Sequence, residues 1–195
     1  FGMLNSLSMA LLKFTIPGVP DVYQGNEMLD FSLVDPDNRR PIDFPERVAA
    51  LARLQTLDEV RGPGRAAGVR ALFDDGIGST AKLWLTLRAL AFRNRHAAVV
   101  AEGDYVPLPA RGAHARHVLA FARRHRAGTM VVAATRLTAS LAIPPGQLPL
   151  GSAVWGDDTL DTGFLAEGAV LTNALTGESV PVAAGRLPLA AVLAS

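Results

Sequence analysis

Pro17-Gly-Val-Pro-Asp-Val-Tyr-Gln-Gly-Asn-Glu27, followed closely by Ser32-Leu-Val-Asp-Pro-Asp-Asn-Arg-Arg-Pro-Ile-Asp-Phe44, is the stretch on which the fold turns. Pro17 and Gly18 interrupt a helical pattern, and Val19 to Tyr23 carry strand-forming residues, which predicts a short buried strand. Gly25 lets the backbone leave that strand sharply, bringing Gln24, Asn26 and Glu27 to its C-terminal end. The loop that follows sets Asp35, Asp37, Asn38, Arg39, Arg40 and Asp43 among prolines. Carboxylates, an amide and guanidiniums at this density suit a ligand rich in hydroxyls. Each hydroxyl needs a donor and an acceptor, and these side chains supply both with little flexibility.

The first motif resembles the eighth barrel strand of the alpha-amylase superfamily. Tyr23-Gln-Gly25 combined with Ser32-Leu-Val-Asp-Pro-Asp-Asn-Arg-Arg-Pro41 is similar, within it, to the maltooligosyltrehalose synthase family. Most other amylase relatives place a second aromatic where Gln24 stands. Two motifs in the right order at short spacing make the resemblance specific, and it extends more loosely to the C-terminus. It implies the tail of a longer enzyme, an intramolecular transglucosylase converting the reducing-end alpha-1,4 link of a maltodextrin into the alpha,alpha-1,1 link of trehalose. Retaining chemistry of this kind needs two carboxyl groups held roughly 5 Å apart. In the superfamily they come from barrel strands four and five, with a third Asp, preceded by His, after strand seven. This sequence has no His-Asp dipeptide and one barrel-strand candidate. The resemblance therefore puts the catalytic residues upstream of Phe1: no catalytic residue is assigned here, and the segment alone is expected to be inactive.

Composition is consistent with such a segment. The 195 residues carry a net charge of +1, leaving no broad basic surface for nucleic acid or an anionic membrane. Lys13 breaks the most hydrophobic helical stretch before it could span a bilayer, and no basic n-region marks a signal peptide. With no cysteine there are no disulfides, thiolate metal sites or cysteine nucleophiles. A cytoplasmic location is expected, although a cysteine-free chain suits any compartment. Neither a metal nor another cofactor is called for. The expected partners are a maltooligosaccharide and the remaining part of the same enzyme.

Met3, Leu7, Ala10 and Phe14 form an apolar face from the outset, with Leu4 and Leu11 alongside. An uncapped helix at the first residue predicts a boundary inside a longer polypeptide, and a trimmed expression tag would look the same. Asp43 and Glu46 form a capping-box-like pair with Pro45 in the first turn, so residues 44–57 read as a helix facing Phe44, Val48, Leu51 and Leu54 inward. Residues 58–65 read as a linker and 66–73 as a short helix. Ser79 or Thr80 opens another helix, with Leu83, Leu87 and Leu90 inward. From Ala97 the period changes. His117–Arg123 and Thr129–Thr135 form a hairpin pattern around a tip containing Arg124, His125, Arg126 and Gly128. Further strand candidates lie at 140–143, 153–155, 169–174, 179–182 and 187–193.

The expected fold class is α+β: the C-terminal end of a (β/α)8 barrel, meaning its last strand and flanking helices, followed by an antiparallel β-sandwich-like domain. The expected divisions are 1–57 for the strand, active-site loop and helices, 58–96 for a linker and helices, and 97–195 for an all-β domain.

The substrate-binding candidates are Tyr23, Gln24, Asp35, Asn38, Arg39 and Arg40. Asp35 and Arg39 stand in an Asp-Pro-x-x-Arg arrangement that, in several amylase relatives, bridges over a bound sugar. A charge-assisted pair lining a subsite, helped by Asn38 and Arg40, is one reading; ion pairs that merely pin a long loop are the other. Tyr23 can stack on a pyranose or pack in the core, and Gln24 and Glu27 can reach substrate or orient the loop. His114 and His117 stand three apart without a third ligand and read as solvated; Arg123 to Arg126 read as a solvated tip. Trp155 reads as core, with exposed sugar stacking as the alternative. Two other classes stay open: a stand-alone carbohydrate-binding module presenting Trp155 or Tyr105, and a structural domain that stabilises a barrel.

Overall fold

The computed structural model describes residues 1–141, 143–144 and 147–194. The helices come first. α1 (Gly2–Thr15) has no side-chain cap, as expected, and buries Leu7, Ala10 and Phe14 while Met3 stays largely exposed. It stops where Ile16, preceding Pro17, takes extended backbone, because the proline ring excludes a helical residue before it. α2 (Phe44–Glu59) is capped by Asp43, whose carboxylate accepts the Glu46 amide at 2.9 Å, with Pro45 in the first turn. It outruns the expected end, and only Ala50 and Leu54 are fully buried. Phe44 and Val48 face solvent, contrary to the predicted face.

The predicted linker at 58–65 is mostly helix. α3 (Pro63–Ala71) begins at once after Gly62, whose φ of 62° turns the chain. Arg65 ties this turn down, donating to the Val60 carbonyl at 2.9 Å and the Asp58 carbonyl at 2.6 Å. α4 (Ser79–Arg95) packs on two neighbours rather than one. Leu85 and Ala89 meet α1, while Leu83 and Trp84 meet α2 and α3. That double contact widens the buried arc and leaves Leu90 of the predicted face exposed. Arg88 of α4 donates to the Asp58 carboxylate and, through Nε, to the Ala174 carbonyl at 2.9 Å. One guanidinium thus joins the helical layer to the sheets.

After α5 (Ala97–Glu102) the sheets begin. β3 (Val118–His125) and β4 (Gly128–Thr135) form the predicted hairpin, running from the Val118–Thr135 pair to the His125–Gly128 pair. β1 (Asp104–Pro107), not anticipated from the sequence, adds to the other side of β3. β3 is buried on both faces. Phe121, with Met130 and Val132, meets Val99 and Val100 of α5, while Ala120 and Ala122 face the second core of Trp155, Leu160, Val180 and Leu187. Helices, hairpin sheet and two smaller sheets therefore form successive layers. The smaller sheets are β2 (Ala110–Arg111), β5 (Thr159–Asp161) and β8 (Arg186–Pro188) in the order β2-β5-β8, and β6 (Val170–Thr172) with β7 (Ser179–Pro181).

The architecture is α+β with small antiparallel sheets, and several local expectations change. Residues 153–155 lie in a helical turn, α6 (Ser152–Trp155). The 187–193 run splits between β8 and α7 (Leu189–Val192), and Ser140 ends a 3-10 turn. Within the 140–143 candidate, Ala142 lies outside the described residues. Arg123 is not a solvated tip residue: it is 2% exposed and donates to the Gly103 carbonyl that ends α5. Of the two histidines, His117 is not solvated either, while His114 keeps 40% of its side-chain surface exposed. His114 places its amide and ring Nδ1 3.0 and 3.1 Å from the buried Asp158 carboxylate.

The largest departure is at the deciding stretch. Residues 19–23 form no regular element and pair with no strand among the described residues, and Val19 is 95% exposed. A β-strand is defined by its ladder, so strand-forming side chains without a neighbouring chain stay irregular.

Candidate functional site

The polar loop is a built structure in spite of its exposure. Gly25 has φ 91°, and a Cβ there would stand 2.7 Å from Ile42 Cδ1, so the bare backbone lets the two ends of the loop approach. Arg47 of α2 fastens both ends. Its Nε donates to Glu27 at 2.6 Å, Nη2 to the Gly25 carbonyl at 3.2 Å and Nη1 to the Asp43 carbonyl at 3.1 Å. Glu27 therefore has the supporting role, and Arg47, absent from the sequence candidates, is the residue that organises the loop. The capping pattern at Asp43–Glu46 was the one sequence signal pointing to that helix turn.

Inside the loop, short-range bonds fix the carboxylates. Ser32 donates its amide to Asp30 at 2.9 Å, and Leu33 donates its amide to Asp37 at 2.7 Å. Asp37 also pairs with Arg40, and the Asp35 carboxylate accepts a two-pronged contact from Arg39, whose Nη2 lies 2.7 Å away. The predicted Asp35–Arg39 pair is thus formed. It spans a cis Asp35–Pro36 peptide and a 3-10 turn at Asp37–Arg39.

A cleft of about 370 Å³ lies beside this turn, bordered by Asp30, Ser32, Asp37, Asn38, Arg40 and Arg47, with Leu29 and Ile42 as apolar walls. Of the six candidates, Asn38 and Arg40 border it. Asp35, Arg39, Tyr23 and Gln24 do not: they lie on exposed chain, and Arg39 keeps 69% of its side-chain surface in solvent. The Asn38 Oδ1 atom is buried with no hydrogen-bond partner among the described residues.

Hydrogen bonding fixes the charge of the wall. The Ser32 amide, then its hydroxyl, hold the Asp30 carboxyl below its ordinary value of 3.8. On α4 beyond the loop, burial and then Lys13 push the Lys82 ammonium down. A carboxylate with a lowered pKa contributes stability above its unfolded value and loses it as pH falls through the folded one. The Asp30 resonance is accordingly expected to titrate below 3.8 in an acid NMR titration, with the Ser32–Asp30 contact loosening only as that lower midpoint is passed. A midpoint at or above 3.8 would contradict the bonded loop.

No cluster of three or more potential metal ligands occurs among the described residues, and no described helix is long and apolar enough to cross a membrane.

No protein-family model matches the chain. A maltogenic alpha-amylase from Thermotoga neapolitana superposes on 94% of it with a TM-score of 0.50 at 14% identity, a likeness of fold alone. The maltooligosyltrehalose synthase of Arthrobacter ramosus superposes far better, with a TM-score of 0.68 at 35% identity over 94% of this chain and 20% of its own. The fold is thus of the alpha-amylase type. Two Mycobacterium tuberculosis proteins, from strains CDC 1551 / Oshkosh and ATCC 25618 / H37Rv and provisionally named maltooligosyl trehalose synthase, are 38% identical over 167 residues. The chain is similar to these maltooligosyltrehalose synthases over 84% of its own length and spans 18% of theirs.

Proposed function

We propose that the chain is the C-terminal part of an intramolecular transglucosylase that forms the alpha,alpha-1,1 link of maltooligosyltrehalose from maltodextrins, an isomerase of trehalose biosynthesis acting in the cytoplasm. The observation that carries the site assignment is the buried, unpartnered Asn38 acceptor on the wall of a polar cleft that also holds the Arg40 guanidinium. Such a wall offers a sugar hydroxyl the exposed Arg40 donor, and the Asn38 acceptor once a shift of its side chain uncovers it.

In this reading residues 1–57 carry the last barrel strand and the rim loop. Val19 and Val22 are exposed because their ladder partners belong to the part of the relatives that this segment does not span. That part would also supply the wall facing Asp35 and Arg39, and the reacting carboxylates. The segment alone is inactive. Residues 58–96 connect to a β domain at 97–195, although Leu11, Leu12 and Phe92 pack against the α5–β3 core, so the helical and β parts are in contact. The loop's contribution would be to hold the released glucose and exclude water from the glycosyl-enzyme.

The stand-alone binding-module reading loses its main residue. Trp155 has 0% exposure and donates Nε1 to the Pro149 carbonyl at 2.7 Å, so it has no face for a sugar. Tyr105, half exposed, remains available to that alternative.

In a full-length enzyme carrying this segment, Asp35→Ala and Asn38→Ala, made separately, are each expected to lower kcat/KM on maltooligosaccharides about tenfold, or about 1.4 kcal/mol, at unchanged melting temperature. Unchanged turnover in both would leave the loop a merely structural element.

A further inference from the structure

The layer between helices and sheets contains a second, quite different cavity of about 260 Å³. Its walls come from three sources: Leu11 of α1 with Ala89 and Phe92 of α4, the whole run 129–133 of β4, and Leu171 with Leu193 from the far side of the sheets. Five consecutive β4 residues line it because β4 is the edge of its sheet, paired with β3 alone, so its free edge rather than one face borders the space. Besides the hydroxyls of Thr129 and Thr172, which are neutral, the polar side chains on the wall are already committed. Thr15 donates to the Leu11 carbonyl at 2.6 Å. Asn173 accepts the Leu175 amide at 2.9 Å and donates to the Val192 carbonyl at 3.4 Å. The charge of Arg88 is matched by Asp58.

We propose that this cavity is a binding site for a neutral, flat, mostly apolar small molecule of one or two fused rings with a single polar edge. Apolar cavities of roughly 150 Å³ hold benzene, so this one has room for a bicyclic ring. The leucine and phenylalanine walls take the ring faces, and the free main-chain edge of β4 offers a carbonyl or amide to the one polar group. An anion finds no unmatched cation here, and burying it costs more than the apolar contact returns. The site is separate from the polar loop and does not depend on a sugar-binding role for it.

Indole is the probe. Titrated into the methyl-labelled chain, it is expected to shift the resonances of Leu11, Val132 and Leu171 saturably and to raise the melting temperature. Indole-3-acetate, the same ring with a carboxylate, should bind at least about tenfold more weakly. Ala133→Leu, which fills the space from a half-buried position on β4, should keep the fold and abolish the response. Val192→Phe is the second filling variant should the first fail to fold. Absence of saturable shifts in the unmodified chain, equal binding of the anion, or indole shifts that survive in a folded filling variant would each overturn the proposal.

Discussion

Trp155→Ala is expected to cost about 3–5 kcal/mol, the usual range for deleting a fully buried aromatic from a packed core. In a chain of this size that corresponds to a drop of roughly 6–20 °C in melting temperature. Several observations place it at the top of the range. Trp155 has 0% exposure, sits edge-on to the His114 ring at 6.2 Å between centroids, and belongs to the same core as Leu160, Leu187 and Leu189. Its Nε1 satisfies the Pro149 carbonyl, so truncation also leaves a buried acceptor without its donor. Trp155→Phe, which keeps most of the volume and loses that bond, should retain more than half of the stability lost in the alanine variant. Chemical denaturation of the three proteins measures this. A loss below about 1 kcal/mol for Trp155→Ala would show that the small sheets pack around something else.

Gly112→Ala should cost a comparable amount, about 3–5 kcal/mol, although it removes no atom. Gly112 has φ 116°, a conformation in which an L side chain is strained by about 1–3 kcal/mol. The added Cβ would stand 1.9 Å from the Asp158 carboxylate and 3.0 Å from the Asp158 Cα. Asp158 is 4% exposed, and its carboxylate receives the His114 amide and faces the His114 ring. Moving it breaks charge-assisted bonds worth about 1.5–3 kcal/mol in a place where water cannot replace them. The Asp158 backbone cannot yield either, since its carbonyl accepts the Leu189 amide at 2.8 Å. A thermal melt of Gly112→Ala indistinguishable from the parent would mean that this turn is free to relax.

The elements read most accurately from the sequence are those decided by neighbours along the chain. Asp43, Pro45 and Glu46 lie within one turn of each other, so the start of α2 is set by local hydrogen bonding. The β3–β4 hairpin carries its own pairing partner eight residues away or less at its tip, and it forms with the expected strands. The Asp35–Arg39 pair is likewise an interaction across a single turn. By contrast β1, β2 and β5 are two to four residues long and are defined by strands distant in sequence, so their own residues carry little signal. The inward face of α4 was misjudged for a similar reason: a helix contacted from both sides does not show a single stripe.

By itself the sequence determined the kind of loop this is, its internal ion pair, its capped exit helix and its likeness to the maltooligosyltrehalose synthases, because each rests on residues within a few positions of one another. Only the tertiary structure decided that Arg47 joins the loop's two ends, that Asn38 borders a cleft with its Oδ1 atom buried and unbonded, and that residues 19–23 stand without a ladder among the described residues. Those outcomes depend on which distant groups come within about 3 Å of each other, a distance set by packing across the whole fold and not encoded in local spacing.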